Sequence, residues 1–332
     1  MLEIRQNIAT REWVIVSSER AKRPEDFAQE RRGARGPRPG YVADCPFCPG
    51  NEEMELERLR MPAQGDWHLR VVQNKYPALR EQGERERRSD GINYAISGVG
   101  YHEVVIESPL HNTCPALETV DEIERTLTAF RLRSEVIRAD SRIEQIVYFK
   151  NHGPDAGTSL AHPHTQLLAL PMVPYSIRSR VDAARRYFDD HGLCVLCRMR
   201  EHEERERVRI IWESEHFTAF IPYAAYSPFH LWIVPRRHQA GFMDATAVEV
   251  RDLSEVLRAV LRKIYFGLHD PDYNYIIRTA PECEQRLGYL HWYVSIVPRV
   301  TRTAGFEMGS GMFINTTPPE ESAQFLRSAQ EA

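Results

Sequence analysis

Ala161-His162-Pro163-His164-Thr165-Gln166 is the stretch from which the rest of the chain is read. In an extended segment, residues two apart project from one face, so His162 and His164 stand side by side. A metal held by His162 fixes the backbone that presents His164. A neutral imidazole attacks phosphorus and splits one difficult transfer into two easier ones, provided its other nitrogen is hydrogen-bonded and the tautomer locked. Just upstream runs Asn151-His152-Gly153-Pro154-Asp155-Ala156-Gly157-Thr158-Ser159. Its small residues, Gly157 among them, let backbone amides approach phosphate oxygens, while Asn151, Ser159 and Gln166 add donors without adding charge. Arg20 and Arg23, near the end of an early strand, are placed to neutralise developing phosphoryl charge.

The segment belongs to an internal repeat marked by candidate metal ligands. The first half carries Cys45-Pro46-Phe47-Cys48, then His111, then His162; the second carries Cys194-Val195-Leu196-Cys197, then His238, then His291. In each half the first His follows a strand that ends in a Pro-containing turn, at Pro109-Leu110-His111 and Pro235-Arg236-Arg237-His238. Two thiolates and two imidazoles make a closed tetrahedral shell, the donor set of a structural Zn²⁺, so two zinc ions per chain are expected. Cys114 and Cys283 lack a CxxC partner and read as buried reduced cysteines. His68, His102, His152, His191 and His216 read as surface or hydrogen-bonded histidines. Two residues after His291 stands Tyr293, where the first half has His164. The repeat therefore predicts a catalytic half over residues 1–175 and a structural half over 176–332.

Hydrophobic residues at 42% and charged residues at 27% of 332 describe a folded enzyme rather than a disordered chain. The net charge of −4, with Arg runs interleaved with Glu, argues against nucleic acid as a partner. No apolar run is long enough to cross a membrane, and Met1-Leu2-Glu3-Ile4-Arg5 does not open a signal peptide. A reducing, cytoplasmic setting is expected, in which six cysteines serve as ligands or buried thiols. Strand-like runs fall at Trp13–Val16, Arg70–Val72, His102–Glu107, Gln145–Phe149, Gln166–Leu170, Ile210–Trp212, Phe217–Ile221, Leu231–Val234, Tyr273–Arg278 and Trp292–Val297. Helical periodicity covers about 119–139, 177–190 and 246–265, and the polar stretches 29–40 and 80–93 read as loops. The order of runs fits helices on one face of the sheet, and the expected fold is α+β: a tandem duplication, each unit a mainly antiparallel sheet flanked by helices.

Further landmarks lie in Arg20-Ala21-Lys22-Arg23-Pro24, Cys45-Pro46-Phe47-Cys48-Pro49-Gly50-Asn51-Glu52, Asn74-Lys75-Tyr76-Pro77, Gly100-Tyr101-His102-Glu103-Val104 and Gly305-Phe306-Glu307. With the segment around His164, they resemble the galactose-1-phosphate uridylyltransferase family, a branch of the histidine triad superfamily, over nearly the whole chain. The resemblance implies two histidine-triad-like halves, a homodimer and a ping-pong reaction. A nucleotide sugar gives its nucleoside monophosphate to His164, and a phosphate-bearing acceptor then takes it. It further implies that Gln166 and Ser159 hold phosphoryl oxygens and that Asn74 and Asn151 line the nucleotide site. Arg20 and Arg23 would contact phosphate across the dimer interface, and Glu307 would sit near the sugar. The default substrate pair is UDP-glucose and galactose 1-phosphate. Thr165 stands where the best-known uridylyltransferases have Gly, and Phe306 where they have Tyr. Those departures resemble a wider branch that includes ADP-glucose phosphorylase and adenylylsulfate:phosphate adenylyltransferase, so adenylyl transfer with phosphate as acceptor is the alternative.

Overall fold

The computed structural model describes residues 2–17, 23–31, 36, 38–285 and 287–329; Arg20 lies outside them. In the first half come β1 (Leu2–Gln6), β2 (Trp13–Ser17), α1 (Pro24–Arg31), β3 (Glu57–Met61), β4 (Leu69–Gln73), β5 (Arg87–Asp90), β6 (Asn93–Ile96) and β7 (Tyr101–Ile106). Helix α2 (Val120–Ile137), β8 (Gln145–His152) and β9 (His164–Leu170) complete it. The second half runs α3 (Tyr175–His191), α4 (Val195–Glu206), β10 (Ile210–Glu213), β11 (Phe217–Phe220), β12 (Leu231–Pro235), α5 (Ala247–Gly267), β13 (Tyr273–Arg278) and β14 (Tyr293–Pro298). Helix α6 (Gly305–Ser310), β15 (Phe313–Asn315) and α7 (Pro319–Ser328) end the chain.

The fold is α+β and duplicated. One ten-stranded sheet runs β10-β11-β12-β14-β13-β8-β9-β7-β4-β3, with every neighbour antiparallel. Each half contributes five strands in one order, β8-β9-β7-β4-β3 mirrored by β13-β14-β12-β11-β10, and the halves meet where β8 pairs with β13. A small sheet, β1-β2-β15, ties the two ends of the chain together.

Helices α2 and α5 start the same way. Thr119 and Thr246 each accept from the backbone N–H of a Glu three residues on, Glu122 and Glu249, whose side chains accept in return from the threonine N–H. Such a reciprocal cap contributes about 1 kcal/mol. Both helices press on one face of the sheet. Ile123, Leu127 and Phe130 of α2, with Leu253, Leu257 and Leu261 of α5, join Leu69, Val71, Ile146, Leu231 and Ile296 in one core.

Helices flank the sheet as expected, but on both faces rather than one. On the opposite face of the second half, α3 and α4 bring Val181, Ala184, Val195, Leu196 and Met199 against Phe220, Trp232, Val234 and Tyr293. Every residue of β14 is buried, whereas β9 alternates, with Gln166, Leu168 and Leu170 half-buried. A strand covered on both faces reads as a continuous apolar run, and one covered on a single face alternates. On that face of the first half no α-helix lies among the described residues; Phe47, Leu56 and Trp67 pack on Val72, Val104 and Ile106 instead, and a site fits beside them. The stretch 80–93 also departs from the loop reading, because β5 and β6 form an exposed hairpin there, with Asp90 paired to Asn93 around Gly91-Ile92.

Candidate active site

Cys45, Cys48, His111 and His162 converge, each offering a ligand atom within 4.8 Å of the others. The Cys48 sulfur lies 3.5 Å from His111 Nδ1 and 3.6 Å from His162 Nδ1, and the Cys45 sulfur lies 3.8 Å from His162 Nδ1. In a tetrahedral shell with ordinary zinc bond lengths, neighbouring sulfur and nitrogen ligands sit about 3.5 Å apart, so the spacing fits that ion. The tautomer fits as well. His162 Nε2 is 2.8 Å from the Ser108 carbonyl, which only accepts, so Nε2 carries the proton and Nδ1 turns its lone pair to the sulfurs. Phe47, inside the CxxC turn, packs edge-on against both His162 and His164, with ring centroids 6.0 and 5.5 Å away. The cluster and its neighbour thus form one packed unit.

The first strand residue after Pro163 is His164, paired with Ile106 of β7. Its Nδ1 is 2.8 Å from the His162 carbonyl, so the proton sits on Nδ1 and Nε2 is left with a lone pair. Burial pulls the ring's pKa down to about 4, with Lys150 pushing the same way, which keeps the imidazole neutral in ordinary buffers. This is the state a nucleophile at phosphorus requires.

On the same face, Gln166 is oriented by a residue that the sequence reading set aside. The Ala78 N–H donates to His102 Nδ1 at 3.1 Å, so His102 carries its proton on Nε2. Nε2 donates to Gln166 Oε1 at 2.8 Å, which leaves the Gln166 amide NH₂ as the free donor beside His164. Asn74 Nδ2 lies 3.2 Å from that nitrogen. Both groups are donors, so this is contact rather than a bond, and Asn74 is held instead by the Tyr76 N–H on its Oδ1. Local sequence marks His102 only as part of the landmark Gly100-Tyr101-His102-Glu103-Val104 and not by this role, because its contact with Gln166 is a diagonal set by strand register.

Two cavities meet at His164. One, about 320 Å³, has apolar walls from Phe47, Leu56, Val72, Val104 and Ile106 and polar edges from Asn74, Ser159 and Gln166. The other, about 360 Å³, is bordered by Lys150, Asn151, Gly153, Thr158, Ser159 and His164. An apolar slot that opens onto a polar loop suits a base at one end and phosphates at the other. Gly153 (φ 87°) and Gly157 (φ 89°) adopt positive φ, which lets the loop turn tightly beneath them. Asn274 of the second half reaches across the seam, donating to Asn151 Oδ1 at 2.8 Å and to the Ala156 carbonyl at 2.9 Å. Sequence reasoning missed Asn274, whose role exists only through the pairing of the halves. Arg23 and Glu307 do not border either cavity. Arg23 is exposed, its N–H donating to Asp26, and Glu307 borders a separate cavity with Arg299 and Arg302.

Cys194, Cys197, His238 and His291 form the matching cluster of the second half. Cys197 lies 3.3 Å from both His238 Nδ1 and His291 Nδ1, and Cys194 lies 3.9 Å from His291 Nδ1. Here Cys194 caps the start of α4 rather than sitting in a free-standing knuckle. Tyr293, paired with Arg278, fills the place of His164 under the cover of α3 and α4.

Residues 1–174 match the family description "Galactose-1-phosphate uridyl transferase, N-terminal domain", and residues 180–321 match the C-terminal domain of the same family. ADP-glucose phosphorylase of Arabidopsis thaliana is 40% identical, over 98% of this chain and 92% of its own. Galactose-1-phosphate uridylyltransferase of Thermotoga maritima is 29% identical, over 99% of each chain. The crystal structure of the Arabidopsis thaliana ADP-glucose phosphorylase with bound ADP-glucose superposes with a TM-score of 0.83 at 34% identity, covering 100% of both chains.

Proposed function

The chain belongs to the galactose-1-phosphate uridylyltransferase family and is a nucleotidyltransferase; from that premise we propose that it moves an adenylyl group from ADP-glucose to inorganic phosphate by way of a covalent nucleotide on His164. The observation that carries the covalent step is the bond from His164 Nδ1 to the His162 carbonyl, which frees Nε2 for attack. In the first step the Nε2 lone pair bonds to the α-phosphorus. The bond from that phosphorus to the bridging oxygen breaks, and the sugar 1-phosphate departs with the electron pair. In the second step a phosphate oxygen attacks the same phosphorus, the N–P bond breaks, and the nucleoside diphosphate leaves.

In this reading the Gln166 amide and the Ser159 hydroxyl hold the non-bridging oxygens as charge grows on them. Asn74 faces the nucleotide in the apolar cavity, while Asn151 and the loop around Gly157 face the phosphates. Gln166 cannot exchange a proton, so it offers water no activation and favours transfer to a phosphate oxygen. One zinc ion in each cluster would have a full shell and a structural duty, holding Cys45, Cys48, His111 and His162, or Cys194, Cys197, His238 and His291. Arg20 and Arg23 would reach phosphate across a homodimer interface and Glu307 would lie near the sugar, in a protein working in the reducing cytoplasm.

Adenine is preferred over uracil because identity to the ADP-glucose phosphorylase, 40%, exceeds the 29% to the uridylyltransferase. Uridylyl transfer from UDP-glucose to galactose 1-phosphate is the second reading, favoured by the family itself. Intact-protein mass spectrometry after separate incubation with ADP-glucose, UDP-glucose and adenylylsulfate decides among them. The expected result is an adenylyl mass from ADP-glucose, mapped to the peptide bearing His164. A uridylyl mass would move the assignment to the second reading, and no adduct from any donor on zinc-loaded protein would end the covalent mechanism.

A further inference from the structure

Behind His164, on the face of the sheet that α2 and α5 cover, two charged side chains are buried that the reaction does not consume. Lys150 on β8 and Glu107, just past the end of β7, are each 1% exposed, with Nζ 2.6 Å from Oε2. The same ammonium donates to the His164 carbonyl at 3.2 Å. The pairing of β8 with β9 runs as far as Lys150 opposite Thr165 and stops there. The lysine side chain therefore serves a carbonyl one residue beyond the end of the ladder.

Such a pair is a poor device for stability. Taking the two charges out of water costs several kcal/mol per ion, and apolar side chains of similar size often do as well or better. The second half carries out that replacement. Thr165 pairs with both Val105 and Lys150, and Val294 pairs with both Ile233 and Ile277. Ile277 thus stands where Lys150 does, and Pro235, two residues past Ile233, stands where Glu107 does. Ile277 is 2% exposed, and Pro235 is buried as well. The same strand order forms there without either charge, so the fold does not depend on them. They occur in the half that holds His164.

We propose that Lys150 and Glu107 are positioning residues for the nucleophile: Glu107 anchors the Lys150 ammonium, which grips the His164 carbonyl and so aims the imidazole Nε2 at the α-phosphorus. The proposal rests on His164 being the nucleophile and adds the means by which it is held. A displacement of about 1 Å at such a centre costs on the order of 100-fold in rate.

The test compares wild type with Lys150→Met/Glu107→Leu, in which both charges leave together and neither is stranded. Zinc content, thermal midpoint, ADP-glucose affinity and the single-turnover rate of His164 labelling are measured on each. The expected variant keeps its zinc and its midpoint within a few degrees, while labelling at saturating ADP-glucose slows on the order of 100-fold. Unchanged labelling per folded, zinc-loaded molecule would overturn the proposal, whatever happened to the midpoint. Absence of labelling in the wild type would instead refute the function on which it rests. Should the double variant fail to fold, Glu107→Gln decides. It keeps shape and one acceptor but loosens the ammonium, and a roughly 10-fold slower rate with unchanged affinity supports the proposal, while a wild-type rate overturns it.

Discussion

His164 and Tyr293 occupy the same place on two copies of one strand, and what surrounds them separates scaffold from chemistry. Each copy has a Cys₂His₂ cluster, a capped helix after the third strand of its half-sheet, and a histidine diagonal to the residue two past the strand's first. In the first half that diagonal pair is His102 and Gln166, and in the second it is His230 and Ser295. The direction of the bond differs. His102 accepts from Ala78 on one nitrogen and so donates with the other, presenting an amide to the open face. His230 Nε2 accepts from the Trp232 indole at 3.0 Å, so the Ser295 hydroxyl must donate to it as well. Burial pulls the His230 pKa down to about 3, which keeps that ring neutral inside its packed surroundings. The comparison teaches that geometry was retained in both copies, while helix cover, tautomer and the buried ion pair distinguish the copy that carries His164.

The largest effect expected is at the paired strand positions themselves. His164→Gly should lower turnover by at least about 10⁴-fold while zinc content and thermal midpoint hold. Tyr293→Phe should leave turnover within about 2-fold. Equal losses at the two positions, measured as kcat, would erase the distinction between the halves. Next comes Gln166→Ala, expected to reduce kcat by about 10²- to 10³-fold through loss of a donor to the phosphoryl oxygens. Ser295→Ala should leave kcat alone.

Metal removal sharpens the contrast further. Cys48 and His162 are buried, whereas His238 is exposed and Cys197 partly so. His162 also has its Ser108 partner, while His291 Nε2 is buried without one among the described residues. A chelator with a colorimetric zinc readout should therefore release one equivalent quickly with labelling of His164 intact, then a second slowly with labelling lost. Release in the opposite order, or loss of activity with the first equivalent, would contradict the division of roles. The smallest effects fall on the diagonal histidines. His102→Ala should slow kcat about 10-fold with nucleotide affinity little changed. His230→Ala should cost about 1–3 kcal/mol of unfolding free energy by denaturant titration and nothing in kcat.

The parts of this arrangement legible in the sequence are those with local signatures. CxxC pairs with trailing histidines announced both clusters, and strand-like apolar runs announced β7, β8, β9 and their counterparts. Strand β3, Glu57-Arg58-Leu59-Arg60-Met61, was not legible, because only Leu59 and Met61 of its five residues are apolar, half-buried against the main core, and Glu57 is tied by ion pairs to Arg60 and Arg70. Helix α4 was hidden because its sequence is mostly charged beyond the CxxC turn. Strand β15, three residues long, owes its pairing to β2 at the far end of the chain. Within the site, His164, Gln166 and Asn151 were visible as chemistry. Lys150, Glu107, His102 and Asn274 were not, since burial of a charge, a diagonal contact and a bond across the seam are properties of register.

The seam between β8 and β13 has one more consequence. Five residue pairs, from Tyr273 opposite His152 to Ile277 opposite Tyr148, join the halves through backbone hydrogen bonds at the centre of the sheet. Cutting the chain between them would bare two edge strands whose unpaired amides seek a partner. Each piece alone would be adhesive, inclined to pair with itself or with its missing complement. It would also lose Asn274 from the loop at Asn151 and Ala156, or that loop from Asn274. The chain can be read as two units, but it cannot be used as two: separation would disarm the site before it touched His164.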